Sequence, residues 1–144
     1  MEKFLLFFFI SINSFGQIFY IEKVQAPISI DPGVEAAIHY AVSNRLISMN
    51  NDVKINDSKE GSTYTIKMVV ERMYAPGRKA IGHIVFLSSK TDKELLRSAT
   101  EKALRNPLQG MKNPLELMFD RIATYQFPVL LKKLESIEIP DSEL

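Results

Sequence analysis

Residues 63–72 alternate. Tyr64, Ile66, Met68 and Val70 are apolar, Thr63, Thr65, Lys67 and Glu71 are polar, and Val69 is the single break. A period of two is the spacing at which side chains reach the opposite faces of a β-strand, so the segment reads as a strand with one face buried and the other wetted. Four large apolar side chains on one face require a covering layer. The rest of the chain has to supply it.

Two segments can do so. Asp31-Pro32 offers a capping carboxylate followed by proline at the first helical position, where its missing N–H costs nothing. From there Val34, Ala37, Ile38, Ala41, Val42 and Met49 recur at helical spacing, and Asn50-Asn51 can take the left-handed conformation that stops a helix. Asn113-Pro114, with Glu116 close behind, signals a second helix whose apolar side is Leu115, Met118, Phe119, Ile122, Ala123, Val129 and Leu130. Pro128 should kink it, and it should end near Glu135.

Other strands surround the alternating one. Residues 18–24 are short and rich in aromatic and β-branched side chains, and residues 52–56 present Val53 and Ile55 before a polar turn ending at Gly61. Ala75-Pro76-Gly77-Arg78 turns the chain into a strand over 79–88, and Ser89 to Asp92 turns it again. Residues 93–103 are ambiguous. Leu96, Ser98 and Thr100 could line a strand face in the first half, while the leucine, alanine, lysine and arginine content suits a helix. Residues 106–113 read as loop. The fold class that follows is α+β: a two-layer sandwich in β-α-β-β-β-α order, with two helices on one face of a mostly antiparallel sheet, the face of Tyr64, Ile66, Met68 and Val70.

The domain occupies residues 17–135. Ahead of it, residues 4–12 are apolar apart from Ser11, follow Lys3, and lead to Ser14-Phe15-Gly16, small residues at the spacing a signal peptidase requires. Nine residues fall short of the roughly 20 that span a bilayer and match the apolar region of a secretory leader, about 7 to 15 long. Residues 1–16 are therefore expected to be a signal peptide cut before Gln17, leaving no transmembrane helix in the mature chain; a buried N-terminal strand or an uncleaved anchor are the alternatives. Residues 136–144 carry Glu138, Asp141 and Glu143 without a base and read as a solvated acidic tail. Hydrophobic and charged contents of 46% and 24% suit one soluble domain, and the absence of cysteine excludes disulfides, thiolate metal sites and a lipidated cysteine.

There is no Gly-rich phosphate loop, nucleophile elbow or HExxH pair, and no cofactor is expected. His39 and His83 could meet in a metal site, but such sites need three or more converging ligands. Ser88, Ser89 and Lys90 read as ordinary turn residues, and Asn56-Asp57-Ser58 as a chance glycosylation triplet. Charge is more informative. Residues 67–112 hold ten bases against four acids, although the whole chain is only +1. Arg72, Arg78, Lys79, Lys90 and Lys93 are the candidate basic rim; the alternative is a solvated strand surface that discourages edge pairing.

The helix over 34–49 ahead of a short strand, the alternating residues 64–70 and the turn Ser88-Ser89-Lys90-Thr91-Asp92-Lys93-Glu94 between strands resemble small α/β domains of Gram-negative envelope assembly proteins. These are the lipopolysaccharide-assembly lipoprotein, the periplasmic domain of the curli secretion channel and the lipoprotein activators of peptidoglycan synthases. The resemblance spans roughly residues 18–134, and the lipidated cysteine usual in those families is missing here. It implies no catalytic residue. The expectation is a non-enzymatic, exported accessory or binding module, in the periplasm or at the outer-membrane periphery, whose open sheet face or edge strand meets an envelope protein or an anionic lipid or glycan surface rather than nucleic acid. A small hydrolase of envelope material, using carboxylates and His83 or His39, and a carrier of an apolar ligand are the other readings.

Overall fold

The computed structural model describes residues 17–49, 52–74, 78–105 and 113–137. The elements run β1 (Ile18–Ile21), α1 (Pro32–Met49), β2 (Lys54–Asn56), β3 (Tyr64–Tyr74), β4 (Lys79–Ser88), β5 (Glu94–Arg97), β6 (Glu101–Leu104), α2 (Pro114–Arg121), a π-helical turn (Ile122–Gln126) and α3 (Phe127–Glu135). The strands form one sheet in the order β2-β1-β3-β4-β5, with β6 also paired to β4. β1 is parallel to both neighbours, and β4 is antiparallel to β3, β5 and β6. The helices cover one face, giving the two-layer α+β sandwich read from the sequence. The leader, the Asn50-Asn51 stop, the first three residues of the 75–78 turn, most of the 106–113 loop and the tail from residue 138 lie outside the described residues.

Five strands separate α1 from α2, where the sequence pattern counts three. The difference lies in residues 93–103, which form no helix. Both β5 and β6 pair with β4, whose backbone would otherwise be an open edge, and that pairing overrides a helical composition. The gap between them is closed by Ser98. Its N–H donates to the Ile84 carbonyl at 2.8 Å, and its Oγ accepts from the Ile84 N–H at 2.9 Å and donates to the Ala99 carbonyl at 3.0 Å. Ser98→Ala would leave the buried Ile84 N–H without a partner, so urea denaturation should show a loss of about 1–3 kcal/mol, with Ser98→Thr closer to wild type.

The core lies between the layers. Phe19 of β1, Ile66 and Met68 of β3, and Ile84 and Phe86 of β4 meet Ile38, Val42 and Leu46 of α1 and Met118, Phe119, Ile122 and Phe127 of the C-terminal helices. α1 starts as the capping pattern requires, with Asp31 Oδ1 accepting from the Gly33 N–H at 2.8 Å. Its buried row is Ile38, Val42 and Leu46, while Tyr40 and Ile47 face solvent. Apolar residues on both sides of this helix blur its period, which is why Leu46 is absent from the expected row. α2 is capped by Asn113 Oδ1, which accepts from the Leu115 N–H at 2.9 Å and is worth about 1 kcal/mol.

Pro128 does act on the last helix, through a widened turn ahead of it. Proline cannot donate and crowds the carbonyl four residues back, and the chain relieves this by bonding the Phe127 N–H to the Ile122 carbonyl five residues back. One extra residue rotates everything beyond by about 100°. The buried set becomes Phe127, Leu130, Leu131 and Leu134, and Val129, expected inside, is 56% exposed.

Candidate functional site

The sheet face away from the helices is the candidate site, and strand register places its side chains. Lys67 and Val69 of β3, Ile81, His83, Val85 and Leu87 of β4, and Tyr20 of β1 share it. Alternation predicts a wetted face. At the β4–β5 end it is not wetted: Thr65 is fully buried and shares a 2.8 Å hydrogen bond with Ser89 Oγ, and Val85 is buried as well.

At the other end β3 has a bulge between Val70 and Arg72. Without it the alternation that buries Ile66, Met68 and Val70 would carry Arg72 and Tyr74 into the core. The extra residue reverses the parity, so Met73 packs against the core while Arg72 and Tyr74 emerge on the uncovered face. Two cross-strand rows result: Tyr74, Lys79 and Leu104, then Arg72, Ile81 and Lys102. Lys79 Nζ lies 5.1 Å from the centre of the Tyr74 ring, and Arg72 Nη1 donates to the Tyr74 hydroxyl at 3.3 Å. That bond holds the Tyr74 hydroxyl below its ordinary value and raises the Arg72 guanidinium. The Arg105 N–H donates to the Arg78 carbonyl at 2.7 Å, bringing two further cations to this end. The nearby acids are engaged or turned away. Glu71 pairs with His83 Nδ1 at 3.4 Å, and Glu101 sits opposite Gly82 on the helix side.

The five cations of the basic rim therefore separate. Arg72, Arg78 and Lys79 gather at the bulged end. Lys90 and Lys93 lie beyond the opposite end of β4, roughly 30 Å away at about 3.4 Å per residue. There Lys59 forms an ion pair with Asp92, and a cleft of about 630 Å³ opens among Gly61, Thr63, Ser89 and Lys90. Arg97 bonds Glu94 at 2.6 Å and holds its carboxyl below the usual range. Leu104 and Tyr74, absent from the sequence-based rim, are 60% and 42% exposed beside the bulged-end cations. The bulge brings Tyr74 there and the β6–β4 register brings Leu104, and no residue pattern announces either.

The histidines do not meet. His83 faces the sheet surface, and His39 sits on α1 with its Nε2 3.1 Å from Glu35 Oε1. Glu35 has its side chain on the β1 side of α1. It accepts the Val24 N–H at 2.7 Å, clamping the β1–α1 connection, and its Oε2 is buried without a hydrogen bond. Tyr20, Lys23, Glu35, His39 and Asn56 border a second cleft of about 600 Å³. Among the described residues no three His, Cys, Asp or Glu side chains converge to hold a metal ion. Ser88 Oγ is buried without a partner, Ser89 is spent on Thr65, and the Asn56 amide donates to the Glu60 carbonyl at 2.9 Å as a loop tie.

No protein-family model and no curated protein matches the sequence. Solved structures do match. PelC from Paraburkholderia phytofirmans, crystallised as a dodecamer, aligns over 74% of this chain and 83% of its own with 13% identity and a TM-score of 0.52. The hypothetical protein CT253 from Chlamydia trachomatis covers 84% of this chain and 97% of its own at 12% identity and a TM-score of 0.51. Lipoprotein GNA1162 from Neisseria meningitidis covers 85% and 100% at 8% identity and 0.49. What is shared is the fold. The likeness to these proteins is one of architecture. Among the described residues no helix is long and apolar enough to cross a membrane.

Proposed function

We propose that the protein is a non-enzymatic accessory module of the Gram-negative cell envelope, contacting an envelope component through the sheet face opposite its helices. The observation that carries this reading is that face itself. Both helical segments lie on the other side, and Ile81, Lys67, Val69 and Leu87 are left half-buried with no described helix over them. Strand addition at an edge is less suited to the role. β2 is three residues long, and the opposite edge is interrupted between β5 and β6, so neither offers a continuous ladder.

The leader expected at residues 1–16 supports export, and the resemblance of residues 18–134 to envelope assembly domains supports the envelope. With no cysteine in the sequence to carry a lipid, contacts would hold the protein in place. An enzyme would need a histidine and two acids working in one cleft, whereas Glu35 beside His39 is committed to the backbone. A carrier would need space between the layers, and Phe19, Phe86 and Phe127 fill it.

Photo-crosslinking in cells tests the proposal. Probes at Ile81, Lys67 and Leu87 should capture an envelope component, while probes at exposed Tyr125 and Val129 on the helical side should not. Capture from the helical side alone, or of cytoplasmic proteins, would overturn it. N-terminal sequencing of the exported protein should begin at Gln17.

A further inference from the structure

We infer that the bulged end of the sheet is a docking surface for anionic lipid, taking headgroup phosphates on Arg72, Lys79 and Lys102 with Tyr74 and Leu104 entering the interface. This rests on the envelope reading above and names one component the module would meet. Charge complementarity is the first argument. Three cations, Arg72, Lys79 and Lys102, stand in the two cross-strand rows, Arg78 and Arg105 close the strand ends beside them, and none of the five forms an ion pair with a described residue. Glu101 lies on the helix side, and Glu71, 3.4 Å from His83 Nδ1, is the one nearby acid whose charge also acts on Arg72.

The apolar residues decide between lipid and other polyanions. In the row Tyr74, Lys79, Leu104, a cation stands between an exposed aromatic and the most exposed leucine of the sheet. An acidic glycan would be satisfied by the cations, and a leucine 60% exposed beside them would gain little from it. A bilayer interface uses all three kinds of group. Tyrosine rings settle at headgroup depth, lysine stems lie along apolar surface with the ammonium at phosphate, and a leucine reaches the acyl boundary. The Lys79–Tyr74 contact and the Arg72–Tyr74 hydrogen bond hold this set in place before any lipid arrives.

Flotation of the exported protein with vesicles tests the inference. Binding is expected to phosphatidylethanolamine–phosphatidylglycerol vesicles, to fall as salt is raised, and to be weak on phosphatidylcholine alone. Each basic residue near an anionic surface contributes about fivefold, so the R72Q/K79Q/K102Q variant should bind about a hundredfold less. Leu104→Ser, at unchanged charge, should lose a smaller factor that low salt does not restore. These side chains are at the surface, and matching thermal melts would show that the variants remain folded. Equal binding to both vesicle types with the triple variant unaffected would overturn the inference, as would salt-sensitive binding to polygalacturonate without binding to vesicles. The sheet-face crosslinks come from residues outside these rows except Ile81, so probes at Lys67 and Leu87 keep the two proposals separable.

Discussion

Gly82→Ala should melt about 10 °C below wild type, and Gly82→Val should fail to accumulate as folded protein. A Cβ built at position 82 would stand 2.3 Å from the Val69 carbonyl oxygen and 2.8 Å from Met118 Cε. The methionine can swing aside. The carbonyl cannot, because it belongs to β3, paired with β4 along its length and bulged just beyond this point. Relief requires the two central strands to part. Overpacking a core costs about 1–3 kcal/mol, and a backbone collision puts this substitution at or above the top of that range. At roughly 3–4 °C per kcal/mol for a domain of this size, thermal unfolding followed by circular dichroism would resolve the change easily. Gly33→Ala is the control, since its Cβ meets only the Asp31 carboxylate at 3.0 Å, and displacing that side chain costs at most the cap bond, about 1 kcal/mol. If Gly82→Ala were as stable as Gly33→Ala, the assigned β3–β4 register would be wrong.

Phe86→Ala is the second large effect, a loss of about 3–5 kcal/mol. Its ring is fully buried and stands edge-on to two others, Phe19 at 6.2 Å and Phe127 at 5.6 Å. It therefore links the inserted strand β1, the central strand β4 and the C-terminal helix. A domain with about 5–15 kcal/mol in total would keep little margin, and the urea midpoint should fall accordingly. Phe86→Leu should recover much of the loss. Because the rings share contacts, Phe86→Ala combined with Phe127→Ala should cost less than the two separate losses added, which a double-mutant cycle would measure.

The parts of the fold that could be read in advance are those whose cause is local. Tyr64 to Val70 alternate because β3 is regular there, and Asp31-Pro32 and Asn113-Pro114 mark helix starts because capping needs those groups at those positions. The parts that could not be read are shifts of one residue. The bulge beside Glu71 moves Arg72 and Tyr74 from core parity to the surface, and the π turn before Phe127 exchanges Val129 for Leu131 and Leu134. Each preserves composition and breaks only the count, so a periodic pattern carried past it selects the wrong residues. Thr65 shows a different limit. Its buried hydroxyl is satisfied by Ser89, a partner across the hairpin that no local pattern reveals. The candidate site was legible as an excess of bases over residues 67–112, and its division into two ends depended on the strand lengths and pairings.

The position of β1 has a consequence for how the molecule is made. It lies between β2 and β3 and runs parallel to both, so no hairpin can form it, and it waits for partners that follow it by more than thirty residues. The first of the described strands to leave the ribosome thus cannot be seated until the third has followed it. Until β3 exists, Phe19 and Ile21 have no sheet to join, and holding them out of unwanted associations during that interval falls to whatever accompanies the nascent chain.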